Sequence, residues 1–290
     1  MDLRDVPAEV VDQRIGKIMD GYYTVVIAAE TNGVYRARRN HNGKPFESAS
    51  DLWYPPASVI RARGRFNEPG ESVFYACNRA PGAVFEIRPR VGDLITLLIA
   101  RTKSASVTLQ SAHIGLERSI APELDEAQRH RMLRQNPHFQ EMLKHNGISK
   151  KWLAVDEFLS DIATTLFTPD EEQEKYRITN AIGRLLFKIP SVEALNYPSV
   201  ATGLRNLNVC LKPEIADRYF MPSEAWMIKI EEAATKLPGL NEPGPFYRTT
   251  FFRKSLKIKT DGEIVWSDPL QNVQPEEIAH LAYRSRLPGL

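Results

Sequence analysis

This chain has little that would staple or anchor it. Of its 290 residues, 2 are cysteine. Cys77 and Cys210 stand far apart, with no Cys-x-x-Cys pair and no histidine near either. That argues against a disulfide framework or a zinc finger, and leaves two buried free thiols in a reducing compartment as the expectation. Long apolar runs are missing too. The most apolar stretch, Leu94–Ala100, is far short of the ~20 residues a membrane helix needs. Charge of one sign is not in excess: Lys plus Arg is 38, Asp plus Glu is 36, and the formal net charge is +2. Composition therefore gives no reason to expect direct nucleic-acid binding, or a membrane partner. Met1–Asp5 carries charge of both signs with no apolar run behind it, so no secretory leader is expected and the location reads as cytoplasmic. The common phosphate cradles, Gly-x-Gly-x-x-Gly and Gly-Lys-Ser/Thr, are absent, and so is the Gly-x-Ser-x-Gly elbow of many hydrolases.

What is present is a mixed pattern of strands and helices. Val6, Val10, Val11 and Ile15 fall at helical spacing. Tyr23–Ala29 reads as a strand, and Val34–Arg39 alternates apolar and basic residues as a half-buried strand does. Residues 40–56 and 64–70 read as loops. Ser72–Cys77 and Leu94–Ala100 read as further strands, and Val107–Leu109 as either another strand or the continuation of Leu94–Ala100. Residues 122–188 change character, with apolar residues at three- and four-residue spacing among many charges. Three or four amphipathic helices are expected there, one starting at Thr168-Pro169-Asp170, where a Thr cap, a first-turn proline and acids coincide. Of this stretch, Phe158, Leu159, Ile162, Ala163 and Leu166 should bury a face. The weaker apolar face of Gln128–Lys144 should protrude and contact another copy or an inhibitor. Strands are expected again at Val209–Leu211, Trp226–Ile230, Tyr247–Phe252, Ser255–Lys259 and Glu263–Ser267, with Asp261-Gly262 as a hairpin turn. The class is α+β.

Among the histidines, His138 and His145 could share a helix face, yet no carboxylates complete a metal site, and no metal is expected. Arg36, Arg38, Arg39, Arg61, Arg63, Arg65 and Arg79 precede an acid set in an apolar run, Glu86 within Ala83-Val84-Phe85-Glu86-Ile87. A charge there needs a partner or a task. It is either a buried Arg–Glu ion pair or a site that clamps an anion and faces a developing cation.

Five short pieces in order sharpen that choice: Val34-Tyr35-Arg36-Ala37-Arg38, Gly64-Arg65-Phe66-Asn67-Glu68-Pro69-Gly70, Val73-Phe74-Tyr75-Ala76, Ala83-Val84-Phe85-Glu86, and Asn196-Tyr197-Pro198-Ser199-Val200, with Asn206-Leu207-Asn208-Val209 behind. Together they resemble the RES domain family over about residues 33–230. The resemblance implies a mixed sheet core similar to that of ADP-ribosyltransferases. The chain departs from the family's compact members by a long helical insertion at about 117–190 and an added C-terminal hairpin extension at 231–290, packed on the same domain; that extension and an N-terminal helical extension at 1–32 lie outside the resemblance. The resemblance implies a bacterial toxin of a toxin–antitoxin pair that consumes NAD⁺, by hydrolysis or by phosphorolysis with inorganic phosphate as co-substrate. NAD⁺ is then a substrate, and no cofactor is expected. Transfer of ADP-ribose to a protein and a non-catalytic interaction module are the alternatives. The Glu-x-Glu pair of arginine-specific transferases is not evident, since position 84 is Val. The implied partner is an Xre-type helix-turn-helix antitoxin; a second copy of the chain is expected from the Gln128–Lys144 face, not from the resemblance. Glu86 would hold ribose hydroxyls and face the developing charge. Arg36 and Arg65 would clamp phosphates. Tyr35 and Tyr75 would stack on base or ribose. Ser199, presented by Tyr197 and Pro198, would bond a phosphate or the ribose, or position an attacking phosphate ion, and Asn67 would contact substrate.

Overall fold

The computed structural model describes residues 6–22, 24, 26–115, 141, 150–164, 169–202, 206–236 and 243–269. The strands are β1 (Val26–Thr31), β2 (Gly33–Arg39), β3 (Phe74–Cys77), β4 (Leu94–Thr102), β5 (Val107–His113), β6 (Ala194–Pro198), β7 (Leu207–Leu211), β8 (Phe220–Lys236), β9 (Pro243–Ile258) and β10 (Ile264–Trp266). The helices are α1 (Ala8–Ile18), α2 (Ala80–Glu86), α3 (Lys150–Thr164), α4 (Pro169–Phe187) and α5 (Pro213–Tyr219). All ten described strands join one sheet in the order β1-β5-β6-β7-β3-β2-β4-β8-β9-β10. The fold is α+β.

The single parallel pairing among the described strands, β5 with β6, explains the helical insertion. Parallel neighbours cannot be joined by a hairpin; the chain must cross over and return. The stretch between His113 and Ala194 is that crossover, and α3 and α4 lie in it. The apolar faces of α3 and α4 are core, as the spacing predicts for Leu159 and Ala163. Leu159 and Ala163 of α3 and Ala181, Ile182 and Leu186 of α4 are buried with Val11 and Ile15 of α1 against Leu195 and Cys210 of the sheet. Each fully buried Leu or Ile contributes ~1.5–3 kcal/mol. Leu166, His138 and His145 lie outside the described residues, as does Gln128–Lys144 except for the exposed, helical Glu141.

Strand alternation divides the rest of the core between the two faces of the sheet. On β4, Ile95 and Leu97 pack with α2, while Leu98 and Ala100 face the opposite side. Burial on both faces is why Leu94–Ala100 is continuously apolar. Phe74 and Val34 lie on the second face with Trp53 and α5.

Several expectations need correction. β6 was not foreseen: all of Ala194–Pro198 is buried, so it shows no alternation, and its proline sits at the strand end, where a missing N–H is tolerated. Tyr247–Phe252 and Ser255–Lys259 are one strand, β9, whose pairing with β8 shifts register at bulges. Residues 1–32 hold more than helix, since β1 pairs antiparallel with β5 at the sheet edge. β8 runs through position 230, and β9 and β10 extend the same sheet beyond it. The hairpin turn stands as read: Gly262 has φ +90 and donates to the Lys259 carbonyl at 2.9 Å. Among the described residues, no helix is long and apolar enough to cross a membrane.

Candidate active site

Sheet order and register assemble the site. β6, β7, β3 and β2 are consecutive neighbours. Tyr35 stands opposite Cys77, Cys77 opposite Asn208, and Asn208 opposite Tyr197. Directly opposed residues share a face, so four strands deliver four side chains in one row. Tyr75 lies on the same face one step along, opposite Cys210. A cavity of about 470 Å³ sits over this row, walled also by Glu86 and Arg88 from the end of α2, Gly64 and Arg65 from a loop, and Tyr176 from α4.

Glu86 is the last residue of α2, whose Ala80, Ala83 and Val84 turn inward. The carboxylate is therefore exposed at the cavity, a correction to the buried acid expected from its apolar neighbours. Its Oε1 accepts from Ser199 Oγ and, at 2.9 Å, from Asn208 Nδ2. Among the described residues nothing bonds Oε2 and no arginine forms an ion pair with Glu86, so the Arg–Glu alternative is not what forms. A negative charge at a helix C-terminus opposes the peptide dipoles, and the two neutral donors offset this.

Ser199 is fully buried and does not reach the cavity wall. Its hydroxyl proton goes to Glu86, its N–H to the Asn206 carbonyl at 2.8 Å, and its carbonyl accepts from Thr202. The direct phosphate or ribose contact expected of it is thus corrected: Ser199 positions Glu86. Asn208 does the same from the cavity wall. Its Oδ1 accepts from the Cys77 thiol at 3.0 Å, which leaves Nδ2 facing Glu86. Burial, aided by the Glu86 charge, pushes the Cys77 thiol well up, so it stays protonated and keeps donating. Cys77 and Cys210 are both free and buried.

The Gly64–Gly70 loop buttresses the other side. A Cβ on Gly64 would lie 2.3 Å from Asn67 Oδ1 and 3.1 Å from Tyr75 Oη, so only glycine fits. Tyr75 Oη donates to Asn67 Oδ1 at 2.9 Å and accepts from the Phe66 N–H at 2.7 Å. Asn67 Nδ2 in turn donates to the Glu68 and Glu71 carbonyls, both at 3.2 Å. Asn67 lies behind Tyr75, not in the cavity wall; it is a brace, which corrects its assignment to substrate contact. Burial pushes the Tyr75 and Tyr197 phenols well up, and both stay neutral. The crossover helix grips the same loop: Thr179 donates to the Arg65 carbonyl and Asn180 to the Gly64 carbonyl at 2.9 Å.

The expected phosphate arginines are partly engaged elsewhere. Arg65 lines the cavity, yet its Nη1 donates to the Ile162 and Ala163 carbonyls in the last turn of α3, at 3.2 and 3.0 Å. Its guanidinium lies 5.4 Å from the Tyr176 ring centroid and 6.0 Å from that of Tyr197. Arg36 is paired across the ladder with Leu98, on the strand face opposite Tyr35. β2 and β3 pair only at Tyr35 and Cys77, and beside that break Arg36 Nη1 donates to the Tyr75 carbonyl at 2.6 Å. The guanidinium is 5.7 Å from the Phe74 centroid, and its Nε is buried without a hydrogen-bond partner. Burial and Arg38 lower its pKa to about 10, which leaves it cationic at neutral pH. Arg38 bonds the Asp51 carbonyl and lies over Phe46, away from the cavity.

Sequence reasoning assigned no site role to Asn208, Cys77, Tyr176 or Arg88. Asn208 stood in one of the quoted pieces, and Cys77 directly follows another. Tyr176 and Arg88 carry no local signal; the crossover and the end of α2 bring them in.

Fold and site thus define an α+β protein with one open carboxylate among tyrosines and arginines, centred on a four-strand row. The family model of the RES domain matches residues 34–228, and the chain belongs to that family. Comparison with curated proteins gives no match. The matched region starts in β2 and ends in β8, so it contains every described residue that lines the cavity.

Proposed function

We propose that this protein cleaves the nicotinamide–ribose bond of NAD⁺, with water or inorganic phosphate as the attacking group. The carrying observation is the state of Glu86: one oxygen fixed by Ser199 and Asn208, the other open, with no cation paired to it among the described residues. Such a carboxylate is oriented before substrate arrives and retains its charge for the substrate.

The chemistry suits the residues. When the bond from the anomeric carbon to the pyridinium nitrogen breaks, both electrons go to the ring nitrogen. Nicotinamide leaves neutral, so no general acid is needed. The ribose becomes oxocarbenium-like, and Glu86 faces that positive charge while accepting from ribose hydroxyls. At ~4 Å and an effective dielectric of ~20, the attraction is ~4 kcal/mol before desolvation, up to about three decades in rate. Water then attacks and releases a proton, giving ADP-ribose, or phosphate attacks and gives ADP-ribose phosphorylated at the anomeric carbon. The rings of Tyr35, Tyr75, Tyr176 and Tyr197 line the cavity and supply flat apolar walls for the leaving base. Family membership supports a toxin or defence effector acting in the cytoplasm, restrained by an Xre-type helix-turn-helix antitoxin that covers the cavity.

Purified protein incubated with NAD⁺, with and without phosphate, and followed by chromatography tests the reading. Nicotinamide should appear in equal amount with ADP-ribose or its phosphorylated form. Intact NAD⁺ at enzyme concentrations approaching that of the nucleotide would refute it.

A further inference from the structure

Among the cavity residues, Arg88 breaks a local rule. α2 ends at Glu86, and Ile87 is its cap with φ −82. Arg88 follows with φ +44, the left-handed position that glycine usually takes at a helix C-terminus. The other described non-glycine residue with positive φ is Asn42, a type that tolerates the conformation. A long arginine there costs on the order of 1 kcal/mol and persists only where its surroundings hold it. They do: the Arg88 N–H donates to the Phe85 carbonyl at 2.9 Å, Arg39 donates to the Arg88 carbonyl at 3.4 Å, and Pro89 follows.

The bend keeps Arg88 exposed on the cavity wall, two residues after Glu86. Of the three cavity arginines, Arg65 holds helix carbonyls and Arg36 holds the Tyr75 carbonyl. Arg88 alone has no hydrogen-bond or ion-pair partner for its guanidinium among the described residues. Its charge also reaches Tyr247, where it opposes the upward push of burial on the phenol. Among the described lining residues three arginines stand against one carboxylate, and the one guanidinium of the three that gives up no existing bond is that of Arg88.

We propose that Arg88 is the phosphate-binding residue of this cavity, taking the pyrophosphate of a nucleotide whose ribose end lies at Glu86. This rests on the NAD⁺ reading for the identity of the nucleotide. The anion site itself rests on Arg88 alone. Planar, paired N–H donors suit a phosphate better than a point charge does.

ADP serves as the probe, since it carries the pyrophosphate and lacks nicotinamide. Calorimetry of ADP binding is compared for the wild type, Arg88→Gly and Arg88→Lys, alongside KM and kcat for NAD⁺ and thermal midpoints. Arg88→Gly removes the strain, so its midpoint should be unchanged or raised, while the ADP Kd and the KM for NAD⁺ rise about tenfold (~1.4 kcal/mol) and kcat stays close to wild type. Arg88→Lys should fall between the two. Equal ADP affinity in wild type and Arg88→Gly, no ADP binding by the wild type, or an Arg88→Gly chain that does not fold would each overturn the proposal. Wild-type NAD⁺ turnover with an Arg88-independent KM defeats the proposal and spares the cleavage reading. Arg88-dependent ADP binding without NAD⁺ turnover defeats the cleavage reading and leaves the anion site standing.

Discussion

Two carboxylates, Glu86 in the cavity wall and Glu68 outside it, show how the same side chain is put to different use. Glu68, in the Gly64–Gly70 loop, pairs with two arginines: Arg63 on Oε2 and Arg184 on Oε1, the latter at 3.2 Å and itself bound to Asp12. Its charge is spent on tying the loop to α4 and α1. Glu86 meets neutral donors instead, both on one oxygen. Seven arginines precede Glu86 from Arg36 onward, yet it pairs with none of those described. A carboxylate neutralised by arginine has little left for a ligand. One held by a hydroxyl and an amide keeps its field and its geometry together.

The comparison breaks most sharply at the donors to Glu86. With Ser199→Ala and Asn208→Leu combined, Glu86 loses both hydrogen bonds that orient it. NAD⁺ turnover should fall about 100-fold in kcat with KM nearly unchanged, because positioning acts mainly in the transition state. Each single variant should lose about tenfold, near the ~1.4 kcal/mol expected of one hydrogen bond to a charged group. Steady-state kinetics on the set checks this; singles at wild-type rate would show that Glu86 needs no positioning.

Glu68→Gln sharpens the other side. It should lower stability by ~1–2 kcal/mol, about 4 °C in thermal midpoint, and leave kcat within a few-fold of wild type. A large kcat loss at unchanged midpoint would reverse the roles of the two acids. The smallest effect is expected for Arg65→Lys. Lysine cannot span both α3 carbonyls, so the midpoint should drop by ~2 °C and KM for NAD⁺ should rise a few-fold. Denaturation curves beside KM separate the two contributions.

The apolar strands were legible because their side-chain period writes burial directly into sequence. Val34–Arg39 showed two faces, and Leu94–Ala100 showed burial on both. β6 was not legible, since a short strand buried on both sides has no period and ends in proline. The site was legible by position more than by environment. Apolar neighbours around Glu86 suggest burial if the chain is extended, but in a helix each residue turns ~100°, and α2 points Ala83 and Val84 inward while Glu86 emerges. The Tyr-Pro-Ser piece located Ser199 without revealing that it is fully buried behind Glu86. Arg88 gave no signal at all, because the left-handed position after a helix usually selects glycine and nothing in the sequence marks an arginine for it.

The most direct measurement is the NAD⁺ turnover of Glu86→Gln at saturating substrate, with its thermal midpoint taken on the same preparation. Glutamine keeps the size and can still accept from Ser199 and Asn208, but it cannot meet a developing cation with charge. The expected result is a kcat at least 100-fold below wild type at an unchanged midpoint. Retention of more than about a tenth of wild-type turnover, on a scale where the charge is worth up to three decades, would contradict the assignment of Glu86 to the chemistry.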